Sequence, residues 1–256
     1  MSSKTQTVEK NKPEGKKGVK SHKDLKIKIY ADGADKEEMI AAYRSGRVHG
    51  FTTNPSLMRK AGVTDYEKFA KEVLSHIKDV SISFEVFSDD LEGMEREARK
   101  IAAWGKNIHV KIPVQTTKGQ FTGPLIKKLH NEKIALNITA VLTLDQVQRV
   151  SECLRGDVPS IVSVFAGRIA DTGVDPIPVM KGSAKVLKSL PKSELLWASS
   201  REVLNVIQAE ECGCHIITVT GDILKKLHML GKDHAEVSLD TVKTFFEDST
   251  KSGFSI

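Results

Sequence analysis

From residue 27 to residue 219 the chain repeats one unit eight times, a short apolar run rich in β-branched residues followed by a stretch of helical length and period. The runs occupy 27–31, 49–53, 81–87, 108–112, 134–138, 160–165, 194–198 and 215–219. Strands that alternate with helices pair in parallel, because only a parallel neighbour needs so long a crossover. Eight such units without an internal composition shift predict a closed α/β structure, a single (β/α)8 TIM barrel over residues 27–256. An open doubly wound sheet of about six strands is the alternative.

The connecting segments carry their own signals. In 64–77, Tyr66, Phe69, Ala70, Val73, Leu74 and Ile77 recur at spacings of three and four, and Thr64 with Glu67 predicts a capping box. A second box, Thr143 with Gln146, opens the helix carrying Leu144, Val147 and Val150. Asp175-Pro176 predicts another helix start, with proline at the first helical position. An amphipathic segment at 238–247 follows the eighth unit and is expected to pack across the barrel or onto a neighbouring subunit.

Charge narrows the function classes. Residues 1–26 hold eight lysines against three acids, so +5 of the formal +6 lies in that segment and the body is nearly neutral. A nucleic-acid surface gathers its basic residues on the fold, so no nucleic-acid partner is expected. Poor in large apolar residues, 1–26 reads as a disordered lysine-rich tail. It lacks the apolar core of a secretory signal, and no run reaches the length of a membrane span, so a cytoplasmic location and no membrane partner are expected. Cys153, Cys212 and Cys214 show no paired spacing and read as reduced thiols. Cys212, Cys214 and His215 lack a second ligand pair at zinc spacing, so no metal is expected.

Chemistry is concentrated at the ends of the apolar runs. Lys111 stands among Ile108, Val110, Ile112 and Pro113, where a buried ammonium must find a partner or release its proton, and a deprotonated amine is a nucleophile. The bland alternative is a side chain that snorkels to water. Glu85 lies between Phe84 and Val86, so its carboxylate points inward or is stranded. Asp32 ends the first run, Thr52 and Asn54 the second, Thr139 the fifth, and Ser163 and Phe165 lie in the sixth. An Asp there is often only a helix cap, Asn-Pro is a turn signal, and Ser199 with Glu202 is itself a possible capping box. Arg168, Ser199 and Arg201, the last two read as a helix start, suit an anion. In a barrel all these ends face one mouth, and together they suggest a phosphorylated carbonyl substrate held beside an amine.

Four segments, Thr52-Thr53-Asn54-Pro55-Ser56, Val110-Lys111-Ile112-Pro113, Asn137-Ile138-Thr139-Ala140 and Ser163-Val164-Phe165-Ala166-Gly167-Arg168-Ile169, resemble the motifs of the transaldolases in order and position, over roughly residues 27–247. The resemblance implies a class I Schiff-base aldolase barrel with Lys111 as the nucleophile that condenses with a ketose phosphate. It makes Asp32 the base that deprotonates the C4 hydroxyl, and Glu85 and Thr139 the residues that position water. Asn54, with Thr52 or Ser163, would hold the dihydroxyacetone hydroxyls, and Arg168, Ser199 and Arg201 the phosphate. No cofactor is implied, since the protonated imine is the electron sink, and a homo-oligomer is expected.

The similar fructose 6-phosphate aldolases share the lysine but release the three-carbon piece. They typically carry glutamine where this chain has Glu85 and tyrosine where it has Phe165, so the resemblance favours transfer. Ser200 departs from the aromatic residue usual at its position. A lyase of the aldolase type and a non-catalytic sugar-phosphate-binding barrel are the other readings.

Overall fold

The computed structural model describes residues 24–253, so the expected 1–26 tail falls almost wholly outside the described residues. Residues 26–226 form one compact unit, and the residues from Leu227 onward group separately.

The first unit is a closed barrel of eight parallel strands in sequence order. They are β1 (Lys28–Asp32), β2 (Gly50–Thr52), β3 (Ser81–Glu85), β4 (Ile108–Pro113), β5 (Leu136–Val141), β6 (Ser160–Val164), β7 (Ser193–Trp197) and β8 (Ile216–Thr220). Each is followed by one or two helices: α1 (Lys36–Arg44), α2 (Pro55–Lys60), α3 (Tyr66–His76), α4 (Leu91–Ala102), α5 (Gly123–Asn131), α6 (Leu144–Ser151), α7 (Ala166–Ala170), α8 (Ile177–Leu187), α9 (Leu204–Glu211) and α10 (Gly221–Lys226). The open sheet is excluded because β8 pairs with β1 over five residues, leaving no edge.

Strand alternation separates two environments. In β4 the apolar Ile108, Val110 and Ile112 face the helices, and His109 and Lys111 face the interior. In β3, Phe84 stacks edge-on against Tyr66 and Trp104 on the helix side, while Ser81, Ser83 and Glu85 turn inward. The lysine that interrupts an apolar run is thus an inward residue between outward ones. Lower in the barrel, Tyr30, Ile161, Leu196 and Ile216 form an apolar plug. The glycine at Gly50 leaves room for the Tyr30 ring.

Local signals hold in part. The Thr143–Gln146 capping box is present. The Thr64–Glu67 box is not formed, because Asp65 takes the N-cap and accepts from Lys68 N, while Glu67 pairs with Lys71 and Lys100. Proline occupies the N-cap position of α8, one residue earlier than expected, with the Asp175 carboxylate accepting from Ile177 N. The fifth strand starts at Leu136 because Ile134 closes α5: Ile134 N donates to Leu129 O and Lys133 N to His130 O, with Lys133 in the left-handed region at φ 63°.

In the second unit α11 (His234–Ser252) is capped by Asp233 and ends at Gly253 in left-handed conformation. It spans more than the amphipathic segment expected at 238–247. The three cysteines are free. Among the described residues no helix is long and apolar enough to cross a membrane.

Candidate active site

The polar inward residues meet at the C-terminal mouth of the barrel, in a cavity of about 440 Å³. Every residue singled out at the strand ends lines it except Arg201.

Lys111 forms the floor. Its side chain is 8% exposed, and its ammonium lies 3.1 Å from Glu85 Oε2 and donates to Thr53 O at 2.9 Å. The pairing is built by register, since Glu85 stands opposite Lys111 on adjacent strands. A buried ammonium with a carboxylate and a carbonyl has the satisfied surroundings that its burial requires. Across the mouth Asp32 ends β1 and accepts from Thr52 Oγ1 at 2.8 Å. Burial pushes the Asp32 carboxyl above the usual carboxylate range, against the Lys111 charge and the Thr52 hydrogen bond, with Glu85 adding to the rise. Asp35, not Asp32, caps α1, so the cap reading of Asp32 fails.

Behind the lysine, Asn137 donates to Ser83 Oγ at 2.9 Å and accepts from Ser163 Oγ at 2.7 Å. The Ser163 hydrogen is therefore committed within the protein. Asn54 does serve as a cap, its Oδ1 accepting from Leu57 N, which leaves its amide NH2 for the cavity it lines.

Thr139 differs from its neighbours. Its Oγ1 is buried with no hydrogen-bond partner, although the residue lines the cavity. A bulge in the β5–β6 pairing between Ile138 and Val141 sets its direction, with Ala140 at φ 59°. A buried hydroxyl without a partner is uncommon in a folded protein and marks this position within the cavity lining.

The anion corner departs from expectation twice. Ser199 is not at a helix start: α9 begins at Leu204, and Arg201 N and Glu202 N donate to Asn205 Oδ1, so the Ser199–Glu202 box is also absent. Ser199 instead holds the left-handed region at φ 62° and lines the cavity. Its carbonyl oxygen lies against Gly167, where any Cβ would collide with it. Arg201 is drawn aside by Asp171 at the end of α7, in a two-pronged ion pair whose Nε–Oδ1 arm is 3.1 Å. Arg168 is the guanidinium at the cavity, 5.5 Å from the Phe165 ring centroid.

To the residues given roles at the strand ends, the structure adds Thr53, Asn137 and Thr218. Thr53 acts through its backbone carbonyl, which no side-chain pattern reveals. Asn137 and Thr218 lie at inward positions of apolar strands, and an alternation count from Thr139 and Thr220 would have found them.

Residues 29–256 match the family described as Transaldolase/Fructose-6-phosphate aldolase. The chain belongs to that family. A probable transaldolase of Thermoanaerobacter sp. (strain X514) is 33% identical over 231 residues, covering 90% of this chain and 100% of that protein. A probable transaldolase of Caldicellulosiruptor saccharolyticus is 34% identical over 203 residues, 78% of this chain and 89% of the other. One from Thermoplasma volcanium is 35% identical over 204 residues, 78% and 87% of the two chains. The Transaldolase/Fructose-6-phosphate aldolase match runs through all eight barrel strands from Ile29 onward.

Proposed function

We propose that this chain is a transaldolase-type transferase that moves a dihydroxyacetone unit from a ketose phosphate to an aldose phosphate through a Schiff base on Lys111. The observation that carries this reading is the buried Lys111 amine held 3.1 Å from Glu85 in the mouth it shares with Asp32.

Attack by the amine on the C2 ketone requires the ammonium to lose a proton, and Glu85 is the nearest acceptor. Loss of water from the carbinolamine gives the iminium, with the Thr139 hydroxyl available to the departing water. Asp32 then takes the C4 hydroxyl proton, the C3–C4 bond breaks, and its electron pair moves into the iminium to give an enamine and a free aldose phosphate. A base raised above the ordinary carboxylate range holds that proton better. The enamine adds to the acceptor aldehyde, Asp32 returns the proton to the new alkoxide, and water releases the ketose product.

The presence of Arg168 and Ser199 in the cavity lining supports them as the contacts of the substrate phosphate, with Arg201 held to one side by Asp171. Phe165 supports transfer over release, because a phenyl ring has no hydroxyl with which to orient water on the enamine. The likeness to proteins named transaldolase supports the same side.

The test is to mix the protein with fructose 6-phosphate and erythrose 4-phosphate, follow sedoheptulose 7-phosphate, and trap the intermediate with borohydride. Transfer with a three-carbon adduct on Lys111 is the expected result. Free dihydroxyacetone released without acceptor at a comparable rate would make it a lyase, and no adduct would end the Schiff-base reading.

A further inference from the structure

Under the Asp32 carboxylate runs a short chain of hydroxyl groups whose direction can be deduced. Thr52 Oγ1 donates to Asp32 Oδ1 at 2.8 Å and lies 2.6 Å from Thr218 Oγ1. A threonine hydroxyl has one hydrogen to give. Because Thr52 commits its own to the carboxylate, the second contact is a hydrogen bond only if Thr218 is the donor. The order is then Thr218 to Thr52 to Asp32. Both threonines are buried, so water competes little for either hydroxyl.

The strand order dictates this placement. β1 sits between β2 and β8, with Asp32 opposite Thr52 on one side and Tyr30 opposite Thr218 on the other. Thr218 therefore faces the barrel interior one layer below the carboxylate, at the depth of the Thr52 hydroxyl. Its backbone is held from the far side as well. The β7–β8 ladder ends at Trp197 and Ile217, and the buried Ser200 hydroxyl donates to Thr218 O at 2.9 Å just beyond it.

We propose that Thr218 is a positioning residue for the reaction, acting through Thr52 to fix the orientation and the proton affinity of Asp32. This rests on the reading of Asp32 as the C4 base. By donating to Thr52, Thr218 occupies the lone pair that faces it and leaves the Thr52 hydrogen only the carboxylate to bond. Hydrogen bonds in series also polarise one another, so the Thr52 donor is stronger with Thr218 behind it. One carboxylate oxygen is thereby pinned, in a residue that lines the cavity. The charged groups that face Asp32 are Lys111 and Glu85, and substitution at Thr218 alters neither.

The test uses the full-length protein with Thr218→Val, which keeps the shape and removes the hydroxyl, and Thr218→Ser, which restores it. Thr218→Val is expected to lower kcat about tenfold with little change in KM, as the loss of one hydrogen bond in series with a charged acceptor implies. A Thr52 hydroxyl released from its task stabilises the Asp32 charge less. The acid limb of the kcat profile then moves to higher pH in Thr218→Val and returns towards the wild-type position in Thr218→Ser.

In parallel, the ligand-free proteins are titrated by carbon-13 NMR of the side-chain carboxyl groups, with the Asp32 resonance assigned by Asp32→Asn. The Asp32 midpoint is expected to rise in Thr218→Val and not in Thr218→Ser. If Thr218→Val does not fold, Thr218→Ala replaces it in the same titration. Coincident Asp32 midpoints in the folded valine or alanine variant and the wild type would overturn the proposal. A wild-type protein without turnover or borohydride adduct would instead overturn the transferase reading, while the midpoints still decide the role of Thr218.

Discussion

Glu85 and Lys111 are register partners on adjacent parallel strands, and their side chains meet in an ion pair of 3.1 Å with the lysine side chain 8% exposed. Neither side chain can be removed alone without leaving a charge in a half-dry mouth, so chemistry and stability are coupled at this pair.

Lys111→Met is expected to abolish the borohydride adduct and lower turnover by at least about a thousandfold, since covalent catalysis has no substitute nucleophile. It should also lower the melting temperature, because Glu85 is left without its partner. The double substitution with Glu85→Gln should recover part of that loss and none of the activity. Calorimetry and intact mass after borohydride report the two quantities.

Thr139→Val separates function from stability. The native hydroxyl is buried without a partner, so replacing it with a methyl group should leave the melting temperature unchanged or raise it, while kcat falls about tenfold to a hundredfold. A clear loss of stability would show that the hydroxyl is satisfied in solution by the fold itself.

Ser199 and Gly167 form one backbone device. Gly167→Ala forces a methyl group into the Ser199 carbonyl and is expected to cost several kcal/mol, about 3 or more, read in denaturant unfolding. Ser199→Gly removes a left-handed strain worth about 1 kcal/mol and should keep or raise stability while raising KM for phosphorylated donors.

Phe165→Tyr places a phenol where the enamine would wait for its acceptor. The ratio of dihydroxyacetone release to transfer is expected to rise about tenfold, measured by product analysis with and without acceptor. An unchanged ratio would remove Phe165 from the account of transfer.

His109 sets part of the acid stability. Burial pushes its imidazole down to about 4 from the ordinary 6.5, against a smaller upward pull from Glu194. The unfolded chain therefore binds the extra proton first, and stability present above about pH 6.5 is lost as the pH falls toward about 4. Urea unfolding between pH 7.5 and 4.5 should show a shallower decline in His109→Gln than in the wild type.

The eight apolar runs, their order and the residues at their ends were legible from the chain alone. Period and capping are local properties, and Thr143 with Gln146 formed its box where the pattern placed it. Competition between adjacent candidates was less legible, as Asp65 took the cap that Thr64 could have filled. The anion corner was the least legible part. Whether Arg201 faces the mouth depends on Asp171, which a different strand-helix unit brings to it.

The sequence by itself determined the barrel and which side chains stand at its mouth, because alternation, helical period and strand count are fixed by neighbours along the chain. Tertiary structure alone decided who bonds to whom there: Lys111 with Glu85, Arg201 with Asp171, Thr218 through Thr52 with Asp32. Those pairings follow from the closure of the sheet and the register of each strand on the next, and hydrogen bonds and ion pairs act over a few ångströms of space rather than along the backbone.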